Sequence, residues 1–142
     1  MNRNLLLIVV IVILVLVIVF AVNPRSYYSE IGSNPILQEL HEDLVALNPA
    51  YSVIPLRSCD SAYTLNKSSI CICTHDPKTK RRYPRCVLRY VLYHELAHMT
   101  SKDYGHGETF QRNFKTILHA AIKKGRYEPN CPIPHDYCGA TD

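Results

Sequence analysis

The chain has 142 residues, 47% of them hydrophobic, and carries 16 lysines and arginines against 12 acids, for a net charge of +4. That length leaves room for one small core rather than several domains, and apart from one apolar run there is no repeat or low-complexity tract.

The apolar run is Leu5 to Val22, 18 residues that as a helix would rise about 27 Å, close to the thickness of a hydrocarbon core. It is expected to be an uncleaved transmembrane anchor after a four-residue tail (1–4), with a cleavable signal peptide ending near Ala21 as the alternative. Residues 23–33, with Pro24 and Gly32, lack periodicity and read as a linker. The domain is expected over 34–142. Arg3 before the run and Arg25 after it give little asymmetry, which leans toward a cytosolic N-terminus.

Asn34-Pro35 is a helix start, Ile36, Leu37, Leu40, Leu44 and Leu47 form an apolar face, and Asn48-Pro49 stops the helix. Tyr51 to Leu56 favours a strand. Ala62 to Leu65 and Ile70 to Thr74 form an expected hairpin around Asn66-Lys67-Ser68-Ser69. Asn66-Lys67-Ser68 is also a glycan acceptor, so modification there would place the domain in a secretory lumen. Lys78, Lys80, Arg81, Arg82 and Arg85 make a basic run with one interleaved aromatic, Tyr83. Bracketed by Pro77 and Pro84, it reads as a solvated loop rather than a nucleic-acid surface.

After Pro84, apolar residues at Val87, Leu88, Val91, Leu92, Leu96 and Met99 mark a helix with one buried face. It carries His94-Glu95-Leu96-Ala97-His98. A four-residue separation on a helix stacks His94 and His98 on one face, where both imidazoles can reach one ion. Glu95, beside that face, is placed to take a proton from water activated at the ion. After seven intervening residues comes His106, flanked by Gly105 and Gly107, whose backbone freedom suits a ligand approaching from a tight loop. Phe110, Phe114, Ile117, Leu118, Ala121 and Ile122 mark a second amphipathic helix ending near Gly125. Glu108, a rival ligand, reads better as a first-turn acid. His41, His75, His119 and His135 have no second ligand at short spacing and read as surface or satisfied polar residues. Tyr104 and Tyr127 are candidates for stabilising a tetrahedral intermediate, with no positional argument for either.

All six cysteines lie beyond the apolar run, and an even number fits an oxidising compartment. Cys71 and Cys73 would share one strand face, so each is expected to pair elsewhere; a zinc site from cysteines is weakly signalled, since there is no C-x-x-C.

The segment His94 to His98, the spacer and His106-Gly107-Glu108-Thr109-Phe110 resemble the WLM and SprT-like group of small zinc metallopeptidases, whose pattern is H-E-x-x-H, a short loop, then H-G-x-x-F. The likeness is nearest to compact WLM-like proteins of large DNA viruses, and it covers roughly Ser61 to Gly139, including the Tyr-Cys-Gly segment at Tyr137. It implies an α+β zincin-like fold: an N-terminal helix, a short antiparallel sheet, a zinc helix and a second helix. It also implies one catalytic Zn²⁺ on His94, His98 and His106, with Glu95 as the base. With the anchor added, the expectation is a single-pass membrane metallopeptidase, in the bilayer through Leu5 to Val22. Its peptide or protein substrates would meet a lumenal, extracellular or virion-surface domain. A cytosolic-facing domain and a protein secreted after signal cleavage are the alternatives. The rival function is a non-catalytic, zinc-stabilised membrane or envelope assembly protein.

Overall fold

The computed structural model describes residues 2–21 and 31–139, which fall into two units divided between Glu30 and Ile31. The expected linker lies outside the described residues from 23 to 30; Ile31 is already buried.

The first unit is one helix, α1 (Arg3–Ala21). Its described side chains run from Leu5 to Val15, all exposed. The far end of the expected span, Val22, lies outside the described residues. Among the described residues no helix is long and apolar enough to cross a membrane. The expected transmembrane anchor and single-pass localisation are therefore not supported.

The second unit is an α+β domain. Asn34 Oδ1 accepts from Ile36 N at 3.0 Å and Leu37 N at 3.4 Å, opening α2 (Pro35–Leu47) with Pro35 in its first turn. Leu37, Leu40 and Leu44 are fully buried. The strand expected over Tyr51 to Leu56 is absent: Asn48 Oδ1 accepts from Ala50 N, and Pro49 opens a 3₁₀ turn, Pro49–Val53. A cap followed by proline sets the local backbone more strongly than β-branched content does.

The strands are β1 (Leu56–Ser58), β2 (Tyr63–Leu65) and β3 (Ser69–Ile72), in the order β1-β3-β2. β2 pairs antiparallel with β3 as a hairpin, but β1 pairs with it in parallel, so the sheet is mixed where an antiparallel one was expected. The chain crosses from one side of β3 to the other between β1 and β2. As the central strand, β3 buries Ile70, Cys71 and Ile72 in succession.

Helix α3 (Arg85–Thr100) packs on β2, β3 and α2, and α4 (Glu108–Lys123) packs on α3. Asp43, fully buried on α2, is the electrostatic centre of the domain. It accepts from Arg89 at 2.7 and 2.8 Å and from Arg126 at 3.2 Å, with Arg85 at 3.8 Å. Removing that carboxylate would leave the guanidinium groups of Arg89 and Arg126, which tie α3 and the segment after α4 to α2, without this counter-ion.

Three disulfides, Cys59–Cys71, Cys73–Cys138 and Cys86–Cys131, use all six cysteines. Cys71 and Cys73 each pair elsewhere, as expected, and the pattern fits an oxidising compartment.

Candidate metal centre

Helix α3 runs for 16 residues without glycine or proline, so His94 and His98 fall one turn apart on one face. The chain leaves α3 at Ser101, turns through Gly105 at φ +84°, where glycine is favoured, and returns His106 to the same point. Gly107 behaves otherwise. Its φ is −66°, it caps α4, and a Cβ there would meet nothing within 4 Å, so its expected conformational role does not hold.

The Nε2 atoms of His94, His98 and His106 lie 3.2, 3.2 and 3.0 Å apart pairwise. A tetrahedral zinc shell with Zn–N bonds of about 2.0–2.1 Å separates its ligand nitrogens by about 3.3–3.4 Å. The donor set fits such an ion in both type and spacing. Three converging imidazole nitrogens without a cation set lone pairs or N–H dipoles against each other, and a shared cation removes that conflict. Among the described residues these three form the grouped set of potential metal ligands; Glu108 is not part of it. Burial, and then the neighbouring His106 and Lys67, depress the pKa of His98 below the usual histidine value.

Phe110 orients the set. Its ring centroid lies 4.9, 4.4 and 4.7 Å from those of His94, His98 and His106, and it is 3% exposed, so one α4 side chain buttresses all three imidazoles. Gln111 Nε2 donates to the His106 carbonyl at 3.3 Å, tying the ligand loop to the same helix.

Glu95 is 6% exposed. Thr64 on β2 holds it, with Oγ1 2.7 Å from Glu95 Oε2 and 2.9 Å from the Glu95 carbonyl. A hydroxyl has one proton, and the shorter, charge-assisted contact to the carboxylate is the stronger claim on it. Burial raises the Glu95 pKa and the Thr64 hydrogen bond opposes the rise.

Lys67 makes the other cross-chain contact. It sits in the hairpin turn at φ +53°, a conformation that costs a non-glycine residue energy. Its Nζ donates to the carbonyls of Ser101, Lys102 (2.7 Å) and Asp103 (3.4 Å), and lies 4.8 Å from the Tyr104 ring centroid. One ammonium thus satisfies the carbonyls following α3 and closes the loop that delivers His106.

Two cavities meet at Ala62, His94 and Glu95. The larger, about 350 Å³, is lined by Tyr63, Thr64, Asn66, Lys67, Asp103 and Tyr104 along with the three histidines. The smaller, about 260 Å³, adds Tyr90, Val91, Ile133, Pro134, His135 and Tyr137. Sequence reading missed Thr64, Lys67 and the proximity of His135, all of which act across long chain separations. Tyr104 lines the larger cavity at 87% exposure. Tyr127 instead packs against Tyr90 and Tyr93. His41 Nε2 lies 2.9 Å from the Ser52 carbonyl oxygen and His75 Nδ1 2.9 Å from Thr74 Oγ1. In the basic run, Arg82 pairs with Glu39 at 2.9 Å, and Arg85 reaches both Glu39 and Asp43.

No family model and no solved structure matches the chain. Two viral proteins are similar in sequence. "Uncharacterized protein 042R" of Invertebrate iridescent virus 3 is 37% identical over 106 residues, covering 75% of this chain and 65% of that protein. "Uncharacterized protein 136R" of Invertebrate iridescent virus 6 is 33% identical over 87 residues, covering 60% of this chain and 49% of that protein. The matched region thus spans about two-thirds of one relative and about half of the other.

Proposed function

We propose that this chain is a zinc-dependent peptidase of the zincin type, in which His94, His98 and His106 hold one ion and Glu95 is the general base. One observation carries the reading: three imidazole Nε2 atoms converge within 3.0–3.2 Å beside a buried carboxylate, at the wall of an open cavity. A zinc ion bound there would supply Lewis acidity to a water and to a substrate carbonyl.

The residues supply the rest. Thr64 holds Glu95 Oε2, so the carboxylate faces the cavity in one orientation as it takes a proton from water. The water oxygen adds to the peptide carbonyl carbon, the C–N bond breaks, and Glu95 hands its proton to the departing nitrogen, leaving a carboxylate and an amine. β2 is an edge strand lining the same cavity, so an extended substrate can add to it by backbone hydrogen bonds. Such docking favours unfolded or loop segments over intact helices.

The resemblance of His94 to Phe110 to the WLM and SprT-like metallopeptidases supports this reading, and the three disulfides fit work in an oxidising compartment. The test compares wild type with Glu95→Gln for zinc content and cleavage of a denatured protein. Zinc in both with cleavage by wild type alone is the expected result. Equal cleavage by both would remove Glu95 from the chemistry. Zinc in both with cleavage by neither would make the ion structural and the chain a binding protein.

A further inference from the structure

The segment between Cys131 and Cys138 is fastened at both ends. Cys131 is bonded to Cys86 in the first turn of α3, and Cys138 to Cys73 just past β3. Near the second staple, the Tyr137 ring lies 4.7 Å from that of Tyr83, Tyr137 Oη donates to the Cys73 carbonyl, and Cys138 N donates to Tyr83 Oη at 2.9 Å. The strap between the staples supplies Ile133, Pro134, His135 and Tyr137 to the smaller cavity; Tyr90 and Val91 of α3 line it too.

Tyr90 and Val91 precede His94 and Glu95 by four residues, about 6 Å along the axis. That is the reach of a side chain from the residue next to a carbonyl held at the histidines, given a rise of about 3.3 Å per residue in an extended chain. The lining away from His94 and Glu95 is apolar and aromatic except for His135. On the far side of Glu95, Asn66, Lys67 and Asp103 line the larger cavity.

We propose that the stapled strap builds a side-chain subsite that takes an apolar or aromatic residue of an extended peptide next to the bond to be cut. This rests on the peptidase reading and extends it to a substrate class. An acidic side chain in the smaller cavity would give up water beside the Glu95 carboxylate, and a basic one would compete for the carboxylate that the Thr64 hydroxyl holds. Differences in how an apolar pocket is filled are worth about ten- to two-hundredfold in kcat/KM.

The experiment uses the full, oxidised, zinc-loaded chain on a mixture of random-sequence peptides, with cut sites read by mass spectrometry. In parallel, binding of labelled peptides to Glu95→Gln is followed by fluorescence anisotropy. An apolar or aromatic residue should flank the cut on one constant side. Ile133→Glu should erase that preference, and His135→Glu, at an exposed position that leaves folding untouched, should admit lysine or arginine there. Cleavage with no flanking preference, or a preference that both variants leave unchanged, would overturn the subsite while leaving the peptidase standing. Apolar-selective binding without cleavage, altered by the same two variants, would uphold the subsite and overturn the peptidase. Neither cleavage nor binding would overturn both.

Discussion

Replacing Thr64 with valine removes one hydroxyl and keeps the shape of the side chain. The lost contact is a 2.7 Å hydrogen bond to Glu95 Oε2, a carboxylate on a residue only 6% exposed, where little water can replace it. Hydrogen bonds to charged groups are worth about 1.5–3 kcal/mol. At about 1.36 kcal/mol per factor of ten, that corresponds to a fall of roughly 10- to 150-fold in kcat. Thr64 does not belong to the histidine set, so zinc content should stay at the wild-type level. Thr64→Ser, which keeps the donor, should recover most of the rate. Steady-state kinetics on a defined peptide, with zinc measured by elemental analysis, reads both quantities. A wild-type kcat in Thr64→Val at full zinc content would refute the positioning of Glu95 by Thr64. A loss of zinc would show instead that the hydroxyl supports the fold of the ligand set.

Zinc at one hundred times its dissociation constant should stabilise the wild-type domain by about 2.7 kcal/mol, raising Tm by roughly 10–20 °C in thermal unfolding. His106→Ala should lose most of that rise, and a rise of equal size would remove His106 from the ligand set. Lys67→Met keeps the aliphatic stem but not the ammonium that binds three carbonyls. Zinc affinity should fall about tenfold, with faster amide exchange over 101–105, because one charge-assisted contact is worth about that much; unchanged exchange would refute the clamp. The closed loops span 12, 45 and 65 residues for Cys59–Cys71, Cys86–Cys131 and Cys73–Cys138. Chain entropy then assigns costs of about 2.8, 4.0 and 4.3 kcal/mol to removing each pair. Urea unfolding of the three Cys→Ala pairs should show Cys59–Cys71 as the least costly, and the reverse order would refute the entropic account.

The helical elements were legible because their signals are local. Asn34-Pro35 caps and opens α2 with the side-chain geometry that such a pair provides. The apolar period of α3 matched its buried face, and that of α4 did so at Phe110, Ile117 and Ala121 though Ile122 is exposed, while the turn at Asn66-Lys67 closed the expected hairpin. The region of Tyr51 to Leu56 misled because β-branched content was weighed above the Asn48-Pro49 cap, which winds a 3₁₀ turn. The apolar run of Leu5 to Val22 is read from hydropathy alone, and among the described residues no helix is long and apolar enough to cross a membrane. The parallel pairing of β1 with β3 had no local signal, since strand direction in a sheet depends on where the connection crosses.

By itself the sequence determined that His94 and His98 face one point, because a four-residue interval on an uninterrupted helix is a matter of backbone geometry. It also placed His106 on a loop with a glycine able to turn it back, and put Glu95 beside the pair. Only the tertiary structure decided what holds those groups. Thr64 reaches Glu95 across 31 residues, Lys67 reaches the Ser101 carbonyl across 34, and Cys73 joins the strap to the sheet across 65. Helical periodicity specifies the direction of a side chain relative to its own axis. Contacts between elements depend on how their buried faces pack together, and packing is a property of the whole core.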